Sequence, residues 1–271
     1  MTRLITEWLT PIENGMNEWD EKLLRLTGYG LGDLAARAAG AEKNITAGRR
    51  AAVVSITSGE GVIGSFAESI AAILQTIGME VLVTEQTDVS GIYEAVCEDA
   101  DVVFMADDDR YIALNLRNGR VGENDFCTAE GYLQLLEDYN LKETGGALKR
   151  QPVLLMGYGR VGRIMHMLLM EKGAFVTVYD KDPAKQEELE SLGIPQIKSP
   201  EEISAYRLIV DLTNEGDWLD PAWLQEDLIM AAPGVPLSLK AEAAPAFADR
   251  VVHDDLEIGT AVMAMEALMD D

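Results

Sequence analysis

The segment "PVLLMGYGRVGRIM", Pro152 to Met165, constrains the fold more than any other stretch of the chain. A short apolar run reads as a strand, and an amphipathic helical pattern opens directly after it. Between them Gly157, Gly159 and Gly162 fall at G-x-G-x-x-G spacing, which in that setting is a dinucleotide-binding turn. Gly157 permits the tight turn, Gly159 lets the backbone approach a pyrophosphate, and Gly162 lets the helix pack closely on the strand. Tyr158, Arg160 and Val161 complete the loop and helix start, where unpaired N–H groups and a partial positive charge suit phosphate. The next strand, "AFVTVYD", ends in Asp180, placed to grip the ribose hydroxyls and to repel a 2′-phosphate. NAD is therefore expected over NADP, although Lys181 beside it tempers that preference. Later loops "DLTNEG" and "AAPGVP" follow strands of the same sheet, so Thr213, Pro233 and Gly234 are expected around the nicotinamide half.

Strand and helix patterns alternate through most of the chain. "AAVVSI", "MEVLVT" and "DVVFMA" read as strands separated by helices, and a polar stretch at residues 143–151 precedes the strand of the glycine motif. The first fifty residues read as helices: "MNEWDEKLLRLTG" places Trp19, Leu23, Leu24 and Leu26 on one side and stops at Gly28, and "LGDLAARAAG" stops at Gly40. The expected fold class is α/β, with two Rossmann-like parallel-sheet domains in tandem and N-terminal helices. Residues 1–148 form the helices plus a substrate-side domain, and residues 149–271 form the NAD-binding domain, closed by the helix "GTAVMAMEALMDD".

An earlier loop, "TSGEGVIGSF", repeats the glycine spacing with Gly59, Gly61 and Gly64. Glu60 inside it is ill suited to a pyrophosphate, whereas Ser58, Ser65 and Phe66 offer hydroxyls and an aromatic wall to a small polar ligand. Glu85, near the end of the following strand, keeps a second dinucleotide open on spacing alone. The strand ends "TEQTDVSG" and "ADDDR" share one carboxyl edge with this loop, so Asp88, Asp107, Asp108 and Asp109 are expected near one crevice, suited to an ammonium. Helix capping toward water is the alternative for each. A metal has no support from His or Cys there, and none is expected. His166 reads as helix packing and His253 lies near a strand end.

Composition narrows the function classes. A formal charge of -25 repels nucleic acid and anionic membranes and tolerates a cationic substrate. No apolar run approaches the ~20 residues of a membrane span, and the opening residues lack the apolar core of a signal peptide. Cys97 and Cys127 have no metal-type spacing, which fits neutral thiols in a cytoplasmic protein.

The segments "ITSGEGVIGSFAES", "DVSGIYEAV", "VFMADDD", "LNLRNGRV", "MGYGRVG", "APGVP" and "LEIGTAVM" occur in that order. Together they resemble the pyrrolysine biosynthesis dehydrogenase family over nearly the whole chain. The resemblance implies a cytoplasmic, NAD-dependent amine (CH–NH2) dehydrogenase. Its substrate is 3-methyl-D-ornithine joined through its carboxyl to the ε-amine of lysine, and oxidation of the terminal amine, ammonia loss and cyclisation give the pyrroline ring. It also implies substrate contacts at Leu4, Ser58, Gly59, Ile63, Ser65, Phe66 and Asp107, with Asp107 the candidate catalytic group. Partners expected are the lysine–ornithine isopeptide and a second copy of the chain in a homodimer. A dehydrogenase of another diamino acid and a non-catalytic NAD-sensing module remain the rival readings.

Overall fold

The structure is a computed structural model that describes residues 5–59 and 61–270. Leu4 and Glu60, both invoked above, lie outside the described residues. Two compact units emerge: residues 1–25, 29–131 and 256–271 form the first, and residues 26–28 and 132–255 the second.

The first unit opens with helices α1 (Thr6–Leu9), α2 (Ile12–Thr27) and α3 (Leu31–Ala39). Gly40, at φ 66°, ends α3 as its spacing predicts. Leu23 and Leu26 of α2 are buried, but Leu24 is 50% exposed, so the apolar face is narrower than expected. There follow β1 (Arg50–Ser55), α4 (Phe66–Thr76), β2 (Glu80–Val83), α5 (Asp88–Cys97), β3 (Val102–Ala106), β4 (Tyr111–Asn115), β5 (Val121–Glu123) and α6 (Asn124–Thr144). The sheet order is β2-β1-β3-β4-β5. β1 pairs in parallel with both β2 and β3, while β4 and β5 run antiparallel as a hairpin extension. The expectation of a parallel sheet thus holds for three strands. β4 and β5 carry no long apolar run, and β4 buries alternate residues only, so the sequence pattern passed over them.

The second unit holds β6 (Pro152–Met156), α7 (Arg160–Glu171), β7 (Phe175–Tyr179), α8 (Pro183–Ser191), β8 (Leu208–Asp211), β9 (Ile229–Ala232) and β10 (Val251–His253). All pairings in its sheet, ordered β10-β9-β8-β6-β7, are parallel. Strands with both faces covered are buried throughout: every residue of β8 and β9 is buried.

The last helix, α9 (Glu257–Leu268), was expected in the second domain but packs within the first unit, against α3, α4 and strands β3, β4 and β5. Every residue of α9 except Glu266 is buried. Polar latches fix it: Tyr111 Oη lies 2.9 Å from Thr260 Oγ1, Asn115 Nδ2 donates to the Ala267 carbonyl at 2.9 Å, and Arg120 Nε donates to the Glu266 carbonyl at 2.7 Å. Apart from the short excursion at residues 26–28, the chain therefore crosses between units near Gly131–Tyr132, inside α6, and again at Asp255–Leu256, rather than once at residues 148–149.

Glu130 of α6 makes the first unit sensitive to pH. Its Oε2 is buried without a hydrogen-bond partner among the described residues, and burial, followed by repulsion from Glu266, pushes its carboxyl up to about 7. The folded state favours the protonated acid. That contribution is complete below the ordinary value of 4.5 and is lost as pH rises through about 7. Glu130→Gln should raise Tm at pH 8 and leave it nearly unchanged at pH 5, by on the order of 1 kcal/mol once partial exposure is allowed for. Thermal melts at the two pH values check this, and an equal shift at both would refute it.

Candidate functional site

In each unit the chain winds to one side of its first strand and then returns to the other. The reversal falls between β1 and β3 in the first unit and between β6 and β8 in the second. A crevice opens outside the carboxyl ends of strands at such a point, and ligands of α/β sheets bind there.

The first crevice is bounded by the loop after β1 and the β3–β4 turn. Gly59 has φ +72° and lies so close to the turn that a side-chain carbon there would overlap the Asp108 carboxylate. The loop after β1 and the β3–β4 turn thus meet, with Asp108 at the contact. Ser58 is exposed, and Ile63, Ser65 and Phe66 are half-buried. Ser65 sits at φ 63°, in the left-handed region, and its hydroxyl makes no capping bond to α4. A non-glycine residue held in that region is a form of strain that concentrates at functional loops. The Phe66 ring meets the buried Tyr111 ring edge-on, 5.6 Å between centroids, which anchors the start of α4 to β4. Helix α1 reaches the same loop, since a carbon added at Gly64 would stand 3.1 Å from Thr6 Oγ1.

The aspartates divide by role. Asp88 accepts from Thr57 N–H at 2.8 Å and from Thr57 Oγ1 at 2.7 Å, so it ties the loop after β1 to the head of α5. Those bonds hold its carboxyl below the usual range. Asp107 Oδ1 accepts from Asp109 N–H at 2.9 Å and from Arg110 N–H at 2.8 Å, closing the β3–β4 turn. These bonds, first Arg110 and then Asp109, likewise lower its pKa. An exposed carboxylate so stabilised is an anion at neutral pH. It suits an ammonium and is a weak proton acceptor.

The second crevice assembles the glycine turn. Gly157, at φ +90°, donates its N–H to the Tyr179 carbonyl at 2.8 Å, and a side chain there would stand 2.8 Å from the Leu212 carbonyl oxygen. A carbon at Gly162 would overlap the Gly157 carbonyl. One at Gly159 meets nothing within 4 Å, so open space lies directly at the head of α7. Such a space, facing a helix N-terminus, is the cradle a pyrophosphate requires. Asp180 stands at the end of β7. Its Oδ2 accepts from Tyr158 N–H at 2.8 Å and its Oδ1 from Asp182 N–H at 2.9 Å. The Tyr158 ring is buried, with the Arg163 guanidinium 4.8 Å from its centroid and His166 edge-on at 5.9 Å. Tyr158 thus offers its backbone to the loop. Arg160 is exposed and Val161 half-buried in the first turn of α7. Lys181 pairs with Glu215.

Thr213 and Gly234 come together at the ends of β8 and β9. A carbon at Gly234 would overlap the Thr213 carbonyl, and Gly234 N–H donates to the Asp211 carbonyl at 2.9 Å. Pro233, which precedes Gly234, is half-buried. Beneath lies a latch that sequence reasoning did not single out. Fully buried Asp211 accepts from Thr213 N–H at 3.0 Å, from Thr213 Oγ1 at 2.7 Å and from Ser238 Oγ. Burial raises its pKa against those bonds. The signal available was an Asp at a strand end two residues before a Thr. Among the described residues no cluster of His, Cys, Asp and Glu is placed to hold a metal ion, and no helix is long and apolar enough to cross a membrane.

Comparison with known proteins decides the family. A pyrrolysine synthase from Methanosarcina acetivorans is 31% identical over 269 residues, spanning 99% of this chain and all of the relative. The chain belongs to the pyrrolysine synthase family. The family model described as "Pyrrolysine biosynthesis protein PylD, N-terminal domain" matches residues 9–122. A second synthase, from Methanosarcina barkeri, is 33% identical over 217 residues, 80% of each chain. Among solved structures, a shikimate 5-dehydrogenase from Thermus thermophilus in complex with shikimate is similar at TM-score 0.50 and 19% identity, covering 82% of this chain and 92% of that one. A quinate dehydrogenase from Corynebacterium glutamicum in complex with NAD is similar at TM-score 0.50 and 13% identity, covering 82% and 94%. These structures share the two-sheet dehydrogenase fold with the synthase family member described here.

Proposed function

We propose that this member of the synthase family carries out the NAD-dependent oxidation in pyrrolysine biosynthesis, acting on the terminal amine of 3-methyl-D-ornithyl-N6-L-lysine. The open space at Gly159, at the head of α7 and beside Asp180, carries the reading. NAD, when bound, supplies the acceptor for the hydrogen and electron pair removed from the CH–NH2 carbon. Backbone N–H groups of residues 159–161 would hold its pyrophosphate, and Asp180, which anchors the Tyr158 amide, would accept from the ribose hydroxyls. Thr213, Pro233 and Gly234 wall its far end.

The loop after β1 holds the organic substrate. Ser58 and Ser65 supply neutral hydrogen bonds, Ile63 and Phe66 face the methylated ornithine part, and Gly59 lets Asp108 of the acidic turn close against the loop. Asp107, kept ionised by its turn, attracts and orients the ammonium. Ammonia loss and ring closure follow oxidation. A steady rise of NADH absorbance with the isopeptide, and a rate with free ornithine lower by at least two orders of magnitude, is the expected result. Equal rates with both substrates would favour a general diamino-acid dehydrogenase.

Cofactor choice provides a second test. Asp180→Ala removes the ribose acceptor and frees the Tyr158 amide, so NAD affinity should fall about tenfold. Loss of the negative charge should also narrow the preference over NADP. Lys181 remains engaged by Glu215, so preference should narrow rather than invert. A wild-type enzyme faster with NADP than with NAD would remove Asp180 from this role.

A further inference from the structure

We propose that His253, backed by Asp255, takes the proton that the substrate ammonium must lose before it can be oxidised. The inference rests on the amine-dehydrogenase reading above. An ammonium nitrogen has no lone pair to form the C=N bond, so a base must act first. Asp107 is the wrong group, because its turn holds it as a weakly basic anion.

His253 ends β10, beside the end of β9. Its Nδ1 lies 2.8 Å from the Ala232 carbonyl oxygen. A carbonyl only accepts, so this contact assigns the proton to Nδ1 and leaves Nε2 as the titrating atom. Nε2 is 3.8 Å from Asp255 Oδ1, and the two side chains are 22% and 21% exposed, sheltered yet reachable. Ala232 leads directly into Pro233 and Gly234, so the imidazole stands on the strand edge assigned to the nicotinamide half. A carbon delivered there for oxidation brings its nitrogen to the same edge.

Two carboxylates act on the ring: Asp255, 3.8 Å from Nε2, and Asp211. Asp211, at the end of β8, interacts electrostatically with His253, and Asp255 follows two residues after it in the chain. They stabilise the imidazolium that proton uptake creates. Burial pushes the Asp255 carboxyl up to about 6.

The step balances as follows. The ammonium gives one proton to Nε2, leaving a neutral amine and an imidazolium. The nitrogen lone pair forms the C=N bond as the C–H bond breaks, and the hydrogen leaves with its electron pair to NAD+. The products are an iminium ion and NADH, and His253 later returns its proton to solvent.

His253→Asn retains a donor for the Ala232 carbonyl but no basic nitrogen. Its kcat/KM for the isopeptide should fall by about 100-fold or more, the acidic limb of the pH profile should vanish, and added imidazole should restore part of the rate. NAD affinity by calorimetry should stay within about twofold, since the imidazole touches none of the phosphate or ribose contacts. Because the chain has 2 histidines, the imidazole signal of His253 can be followed by NMR in the NAD-free protein. Asp255→Asn should move its titration midpoint, and the acidic limb of kcat/KM, to lower pH. If His253→Asn does not fold, the Asp255→Asn titration and pH profile decide the matter. Wild-type kcat/KM and an unchanged acidic limb in folded His253→Asn would overturn this inference alone. A wild-type protein inert toward the isopeptide would overturn the amine-dehydrogenase reading and this inference with it.

Discussion

Gly159→Val should abolish measurable NAD binding while leaving the thermal midpoint of the free protein unchanged. The two halves of that result come from one geometric fact. The backbone at Gly159, φ -80° and ψ -155°, is extended and open to any L-residue, and an added carbon meets no atom within 4 Å. Valine is therefore tolerated by the protein and intrudes only into the space at the head of α7. A loss of at least about 100-fold in affinity is expected, because the pyrophosphate forfeits several charge-assisted bonds of roughly 1.5–3 kcal/mol each. Gly162→Ala is the contrasting variant. Its methyl overlaps the Gly157 carbonyl, so the strand and α7 must separate, and both Tm and NAD affinity should drop. Calorimetry and thermal melts on the two proteins check the pair. Near-normal NAD affinity in a folded Gly159→Val protein would dispose of the cradle.

Asp107→Asn should lower kcat/KM for the isopeptide by about 30- to 1000-fold, corresponding to roughly 2–4 kcal/mol for a lost charge partner. The substitution separates two roles. An asparagine carbonyl can still accept the Asp109 and Arg110 amides that close the turn, so the fold is kept while the charge is removed. Asp107→Ala loses both and should also melt earlier. Wild-type kinetics in Asp107→Asn would reduce Asp107 to a turn residue.

How far the sequence reveals all this depends on the kind of constraint. The glycine turn was legible because Gly157 and Gly162 stand where any side chain would meet backbone, whereas Gly159 is extended and open. The place of Asp180, directly after β7, was legible from the spacing along the chain. The antiparallel pair β4–β5 was not, since "YIALN" and "VGE" are too short and too alternating to stand out. That omission hid what Asp107 does locally, because its two backbone bonds exist only in the turn that the hairpin creates. The periodicity of "EIGTAVMAMEAL" shows a helix apolar on all sides, hence buried, but contains nothing about which sheet buries it. Likewise the His253–Asp255 pair is two polar residues near a strand end until the structure shows His253 Nδ1 against the Ala232 carbonyl.

The return of α9 to the first unit has a consequence for the order in which the chain acquires its structure on the ribosome. Residues 132–255 have all been synthesised before α9 exists, so the second sheet can form while the first still lacks the helix that covers β3, β4 and β5. Until then Tyr111, Asn115 and Arg120 have no Thr260, Ala267 or Glu266 to meet. The nascent first unit must therefore wait, with apolar surface uncovered, through the synthesis of an entire domain, and the N-terminal half of this enzyme is the last to finish folding.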